Sequence, residues 1–135
     1  MKKEIIERED INFVILAINS HEKMYKLCWS INKNKKFNFK KTTNHINPEN
    51  TSQNFERFTY FNSQTNTKYD IVSNSCSKGF LDPTNKSVNY FFTIQGGVYN
   101  IEKIIQNLNR LESILLVFEL NLYKIKSINP FIIND

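Results

Sequence analysis

The densest chemistry-bearing set is a run of lysines. Lys33, Lys35, Lys36, Lys40 and Lys41 lie within nine positions, interleaved with Phe37 and Phe39, and no acid occurs between Glu22 and Glu49. Ammonium groups neutralise phosphates and aromatic rings stack on bases, so this pattern suits single-stranded nucleic acid. It equally describes a solvated helix end in a lysine-rich chain. Arginine, the residue best suited to bidentate recognition of phosphate or guanine, occurs only three times.

Other candidate groups are dispersed. A metal centre needs His and Cys at converging spacings, whereas His21, Cys28, His45 and Cys76 are scattered along the chain. Cys76, within Ser-Asn-Ser-Cys-Ser-Lys-Gly, reads as a loop thiol with no histidine indicated to activate it. Asp70 and Glu119 fall in or at the end of predicted strands. Either is a candidate acid, although strand-end acids more often meet water or lysine. Gly96-Gly97 follows a predicted strand and precedes a helix, but lacks the further glycines or Lys-Ser/Thr ending of a phosphate cradle, so it reads as a turn. Tyr25 and Trp29 stand four apart and suit either an interface anchor or a broadened core face, with Trp29 assigned to the core. No catalytic, cofactor-binding or metal residue is assigned, and no cofactor is expected.

The elements that would position these groups follow from hydrophobic period. Residues 11–18 form a nearly continuous β-branched and aromatic run, the pattern of a central strand covered on both faces. Asn19 and Ser20 then suit a helix cap, and Met24, Leu27, Cys28 and Ile31 recur at helical spacing. Phe37 and Phe39 alternate with polar residues as in a short edge strand, and a polar loop follows at about 42–54. Residues 55–62 and 68–73 predict a hairpin across Ser-Gln-Thr-Asn-Thr. From Val88 to Gln95 the alternation is clean, with Val88, Tyr90, Phe92 and Ile94 on one face. Asn100 caps a second helix with a stripe of Ile101, Ile104, Ile105, Leu108 and Leu111, and 114–120 reads as a buried strand.

The expected fold is a single α+β domain over 1–135, a two-layer sandwich. A mixed, mostly antiparallel sheet of about five to six strands carries two helices on one face, and the crossover from 88 to 120 is expected to make a parallel pair.

Length and composition agree with one compact domain: 135 residues, 40% apolar, and a net charge of +5. The chain holds 20 Asn, 17 Ile and 15 Lys against a single Ala, an AT-rich bias that inflates lysine and asparagine wherever they are tolerated. Two cysteines and no long apolar run exclude a disulfide scaffold and a membrane-spanning helix. The opening residues mix both charge signs, unlike a secretory leader, so a cytoplasmic protein with reduced thiols is expected.

Three segments, in order, resemble the bacterial family named for its IPExxxVDY motif. Leu81-Asp82-Pro83-Thr84-Asn85-Lys86-Ser87-Val88-Asn89-Tyr90 is similar to that motif, keeping Pro83, Val88 and Tyr90 while Asp82, Thr84 and Asn89 replace the family's Ile, Glu and Asp. The helix around Tyr25-Lys26-Leu27-Cys28-Trp29 and the ending Val117-Phe118-Glu119-Leu120 with Lys124-Ile125-Lys126-Ser127 also resemble it. The family carries no assigned biochemical activity. With both motif acids replaced, the resemblance implies a structural segment here, in which Pro83 fixes a turn and Val88 and Tyr90 begin the inward face of a strand.

The expectation is a small non-enzymatic protein-interaction module, working with an unknown protein partner or as a homodimer through a sheet edge. The alternative is an RNA-associated module using Lys33 to Lys41.

Overall fold

The structure is a computed structural model that describes residues 13–33, 36–97 and 99–133. Its twelve principal elements are β1 (Phe13–Asn19), α1 (Met24–Asn32), β2 (Lys40–Lys41), β3 (His45–Ile46), β4 (Asn54–Phe55), β5 (Arg57–Asn62), β6 (Thr67–Ser73), β7 (Ser75–Cys76), β8 (Gly79–Phe80), β9 (Tyr90–Gln95), α2 (Ile101–Asn109) and β10 (Leu116–Glu119). Six strands form one sheet in the order β10-β1-β9-β6-β5-β2, and two two-stranded sheets, β3-β4 and β7-β8, accompany it. The class is α+β, with both helices packed on the same sheet face.

Helical period dictates that face. Met24, Leu27, Cys28 and Ile31 of α1 and Ile104 and Leu108 of α2 are buried against Leu16, Ile18, Ile71, Phe92 and Ile94 of the sheet. Asn100 caps α2 as its spacing suggests, its side chain accepting the Lys103 N–H at 3.1 Å. The entry to α1 differs. Lys23 is its N-cap and offers no side-chain bond, while Ser20 Oγ accepts the Glu22 N–H at 3.1 Å and donates to the Ser113 carbonyl. Tyr90 fastens the same entry, its hydroxyl donating to the Glu22 carbonyl, and burial pushes its pKa up to about 12.

The hairpin of 55–62 and 68–73 forms as β5 and β6, and β1 lies inside the sheet between β10 and β9. Its expected first residues, 11 and 12, lie outside the described residues. Every pairing in the main sheet is antiparallel, which corrects the parallel pair expected from the crossover. β9 and β10 do run in the same direction, but β1 is threaded between them, so neither bonds the other.

Four further expectations are corrected. The apolar run 114–120 yields an edge strand of four residues in which only Val117 is buried, because β10 has a neighbour on one side alone. Phe37 and Phe39 are not strand residues: Asn32 bonds the backbone N–H and carbonyl of Phe39 at 2.7 and 3.0 Å, and both rings turn into the helix-side core, stacked 5.6 Å apart. The strand is the following pair, Lys40–Lys41. The polar loop at 42–54 contains the β3-β4 hairpin, with His45, Asn47 and Gln53 buried. Trp29 is 60% exposed, since a 100° step per residue carries it off the buried stripe.

The second sheet face is also covered, so the fold is more than two layers. Irregular chain packs there: Leu120, Ile128, Phe131 and Ile133 from the C-terminal segment, with Leu81 and Val88, close over Phe13, Ile15, Ala17, Val72 and Phe91.

Candidate functional site

The most chemically dense place lies on that second face, where β5 and β6 meet the β3 region. Strand alternation puts Lys68 and Asp70 on one side of β6, and the β5-β6 register brings Arg57 two residues across from Asp70. Arg57 and Asp70 are both buried and form an ion pair at 2.8 Å, while Lys68 engages the second Asp70 carboxylate oxygen. Arg57 also donates through Nε to the Thr43 carbonyl at 3.1 Å and through a terminal nitrogen to the Thr43 hydroxyl at 3.3 Å. The Thr93 hydroxyl, opposite Asp70 on β9, is buried without a partner.

His45 stands at the rim of this cluster. Its Nε2 donates to the Pro130 carbonyl at 2.6 Å, tying β3 to the C-terminal segment. Burial is the largest influence on the ring and takes its pKa below the ordinary 6.5; the Pro130 bond opposes this, Arg57 and Lys68 reinforce it, and Asp70 counters them. The unfolded chain therefore gains a proton at higher pH than the folded protein does. The stability that neutral His45 contributes is complete above about pH 6.5 and is lost as pH falls from there towards the lower folded value. Denaturation midpoints measured from about pH 7.5 to about pH 5 should fall, and His45→Gln, which retains a donor for Pro130, should flatten that fall. Equal slopes in the two proteins would mean that the ring is fully solvated.

A cavity of about 270 Å³ opens here, lined in part by Thr43, His45, Arg57 and Ile133. The Arg57 donors that border it are directed to Thr43 and Asp70, so the geometry describes an internal clamp. A larger cleft of about 590 Å³ lies between segments 47–53, 80–84 and 125–131. Its polar groups are also engaged internally: the Ser127 hydroxyl donates to Glu49 at 2.6 Å, and the Gln53 amide joins Asn47 and the Lys78 carbonyl.

The other candidate groups are held apart. Asp70 on β6 and Glu119 on β10 are separated by β9 and β1, three strand spacings or about 14 Å. Cys28 lies in the helix-side core, where burial pushes its thiol up to about 12, and Cys76 sits half-buried in β7. Among the described residues no group of three His, Cys, Asp or Glu is placed to hold a metal ion. Gly96-Gly97 is a turn with positive φ at both residues, and a Cβ on Gly97 would overlap the Thr67 hydroxyl.

The motif-like segment is held by Asn74, whose amide donates to the Asn85 and Val88 carbonyls at 2.9 and 2.8 Å and whose oxygen accepts the Asp82 N–H. Pro83 opens a short 3-10 turn capped by Asp82, which accepts the Thr84 N–H at 3.1 Å. Val88 is the correction within this segment. β9 begins at Tyr90, and the turn from Asn85 sends Val88 to the opposite core from Tyr90, so the two do not share a face.

The lysine cluster is likewise rearranged. Lys33, Lys36, Lys40 and Lys41 are exposed, Lys35 lies outside the described residues, and Lys41 pairs with Glu56 at 3.0 Å. With Phe37 and Phe39 buried, the rings interleaved with these lysines cannot stack on bases. Two exposed rings stand instead on α1, where Tyr25 is 61% and Trp29 60% exposed, and Phe61 of β5 is 55% exposed.

At the opposite edge of the sheet, Leu115, Leu116 and Phe118 are exposed in and beside β10, and Tyr123 is exposed just beyond it. A scan against protein-family models finds none that matches the chain, and a search of curated proteins finds no match. No helix among the described residues is long and apolar enough to cross a membrane.

Proposed function

We propose that this chain is a small cytoplasmic, non-enzymatic contact protein of the IPExxxVDY type that pairs with a second copy of itself through the β10 edge. The observation that carries the reading is an apolar sheet edge left uncovered among the described residues, with Leu115 61% and Leu116 48% exposed. Exposed apolar edges invite strand pairing, and natural sheets blunt them with charge. The far edge is blunted in that way, since β2 is two lysines.

Backbone directions favour a two-fold contact. Asn19 and Ile15 of β1 accept from Leu115 and Leu120, and the Ile18 carbonyl accepts from the β9 side at Asn89. The ladder therefore turns Leu116 and Phe118 towards β1 and Val117 and Glu119 outward. The outward Val117 N–H is taken by the Asn109 side chain at 3.0 Å. Among the described residues, the Val117 carbonyl and Glu119 N–H remain for a neighbour. An antiparallel copy centred on Phe118 pairs those two groups reciprocally, sets Phe118 against Phe118, and places Glu119 across from Val117 instead of from another acid.

Sedimentation equilibrium tests this directly. The protein should sediment as a concentration-dependent dimer, and Leu116→Lys with Phe118→Lys should give a monomer with an unchanged circular dichroism spectrum. A wild-type protein that stays monomeric, or a double variant that still dimerises, would overturn the reading.

A further inference from the structure

We infer that the solvent face of α1 is a contact surface for single-stranded nucleic acid, built on Tyr25 and Trp29 and bordered by Lys26, Lys33 and Lys36. This site shares Lys33 and Lys36 with the lysine segment but places the stacking on Tyr25 and Trp29 in place of Phe37 and Phe39, and it does not depend on dimerisation through β10.

Ring availability is the first observation. Tyr25 and Trp29 are i and i+4 on the helix, so they lie on one side about 6 Å apart along the axis. That exceeds the rise of about 3.4 Å per nucleotide within a duplex strand, so the pair suits bases of an extended strand. Charge is the second. Lys26 is exposed on the same solvent side of the helix, and the Lys33 ammonium, one turn on from Trp29, stands over the face of its ring 4.4 Å from the centre. A cation on one face leaves the opposite face of the ring as the stacking platform and places a phosphate partner within reach of the same strand. The third is continuity. Asn32 clamps the backbone of Phe39 to the end of α1, so Lys33 and Lys40 each follow a clamped residue, and exposed Lys36 lies on the connection between them. The helix itself contains no acidic residue.

Lipid is a poorer match. An amphipathic helix binds a membrane by inserting its apolar stripe, and Met24, Leu27, Cys28 and Ile31 are already buried beneath the sheet. What α1 presents to solvent is two amphipathic rings and cations. Stacking and phosphate contacts use both, and they do so with little dependence on base sequence.

Trp29 is the only tryptophan in the chain and is its own reporter. Titrating the full chain with oligouridylate of about 12 nucleotides should quench its fluorescence, and affinity should fall steeply with added salt. With a labelled oligonucleotide followed by anisotropy, Trp29→Ala should weaken binding roughly 5- to 150-fold, and Trp29→Phe should lose less. Lys26→Ala with Lys33→Ala should reduce the log-log salt slope by about 1.4. All these positions are exposed, so circular dichroism should report unchanged folds. Absent quenching, a duplex bound as well as the single strand, equal quenching by phosphatidylserine vesicles or by polyglutamate, or undiminished affinity in Trp29→Ala would overturn the assignment. The Leu116→Lys, Phe118→Lys double variant separates the two proposals, because the α1 surface should bind oligouridylate in that variant as well.

Discussion

Replacing Asp70 by Asn should lower folding stability by about 3–5 kcal/mol, the size expected when one partner of a buried ion pair is removed. Asp70 has no solvent-exposed surface, and the Arg57 side chain is only 3% exposed. Asn is nearly isosteric, so the loss would come from charge and not from volume. It leaves the buried Arg57 cation without the carboxylate charge that neutralises it, and Lys68 loses the Asp70 carboxylate. Lys68→Met should cost less, because the Lys68 side chain is 20% exposed and its charge is less fully desolvated. Replacing Arg57 by Met and Asp70 by Leu together should recover much of the loss, since an apolar pair carries no desolvated charge. Urea denaturation followed by circular dichroism checks the series. A stability change under about 1 kcal/mol in Asp70→Asn would show that water solvates the pair and that the cluster is not a clamp.

Half of that cluster is legible in the sequence. Lys68 and Asp70 stand two apart on a predicted strand, so they must share a face, and their opposite charges predict a pair. Arg57 is not legible, because its proximity depends on the β5-β6 register, which the turn at 62–67 sets through Asn66 in the left-handed region at φ 53°. A two-residue period names a face but not the neighbour across it. For the same reason α1 and α2 are readable: each buries one stripe whose 3.6-residue period fixes both the element and the side that packs.

At two segments tertiary neighbours decide what local pattern cannot. The run 114–120 is as apolar as a buried strand, yet β10 is an edge because β1 separates it from β9. Phe37 and Phe39 alternate like strand residues, but Asn32 holds the Phe39 backbone at the end of α1 and both rings are buried in the helix-side core. Trp29 is a different case: Met24, Leu27, Cys28 and Ile31 are buried as their spacing predicts, and the same helical step leaves Trp29 exposed instead of in a broadened core face. Exposed Trp29 and Tyr25 were available from that step alone. The covering of the second face had no comparable signal, since residues 120–133 contain no period of either kind.

That covering can be weighed by one residue. Phe131→Ala should destabilise the protein by about 3–5 kcal/mol, as large-to-small changes in packed cores do. Phe131 is 2% exposed and meets Phe91 edge to face with ring centres 5.0 Å apart. Phe91 in turn lies opposite Ala17 on β1 and Val72 on β6, so the lost ring leaves a void over the middle of the sheet. If irregular chain were a loose wrapping, its aromatic could swing out and the cost would fall below about 1 kcal/mol, the range of surface substitutions. Three polar fastenings argue against such freedom: His45 to the Pro130 carbonyl, Gln95 to the Ile133 carbonyl at 3.2 Å, and Ser127 to Glu49. They hold the backbone on both sides of Phe131 and limit the collapse that could refill the cavity. Thermal and urea denaturation of Phe131→Ala, read beside the conservative Phe131→Leu, therefore measures whether a segment without regular secondary structure serves as a layer of the core. The Leu variant should retain most of the stability, and equal loss in the two would point to the aromatic pair itself over the filled volume.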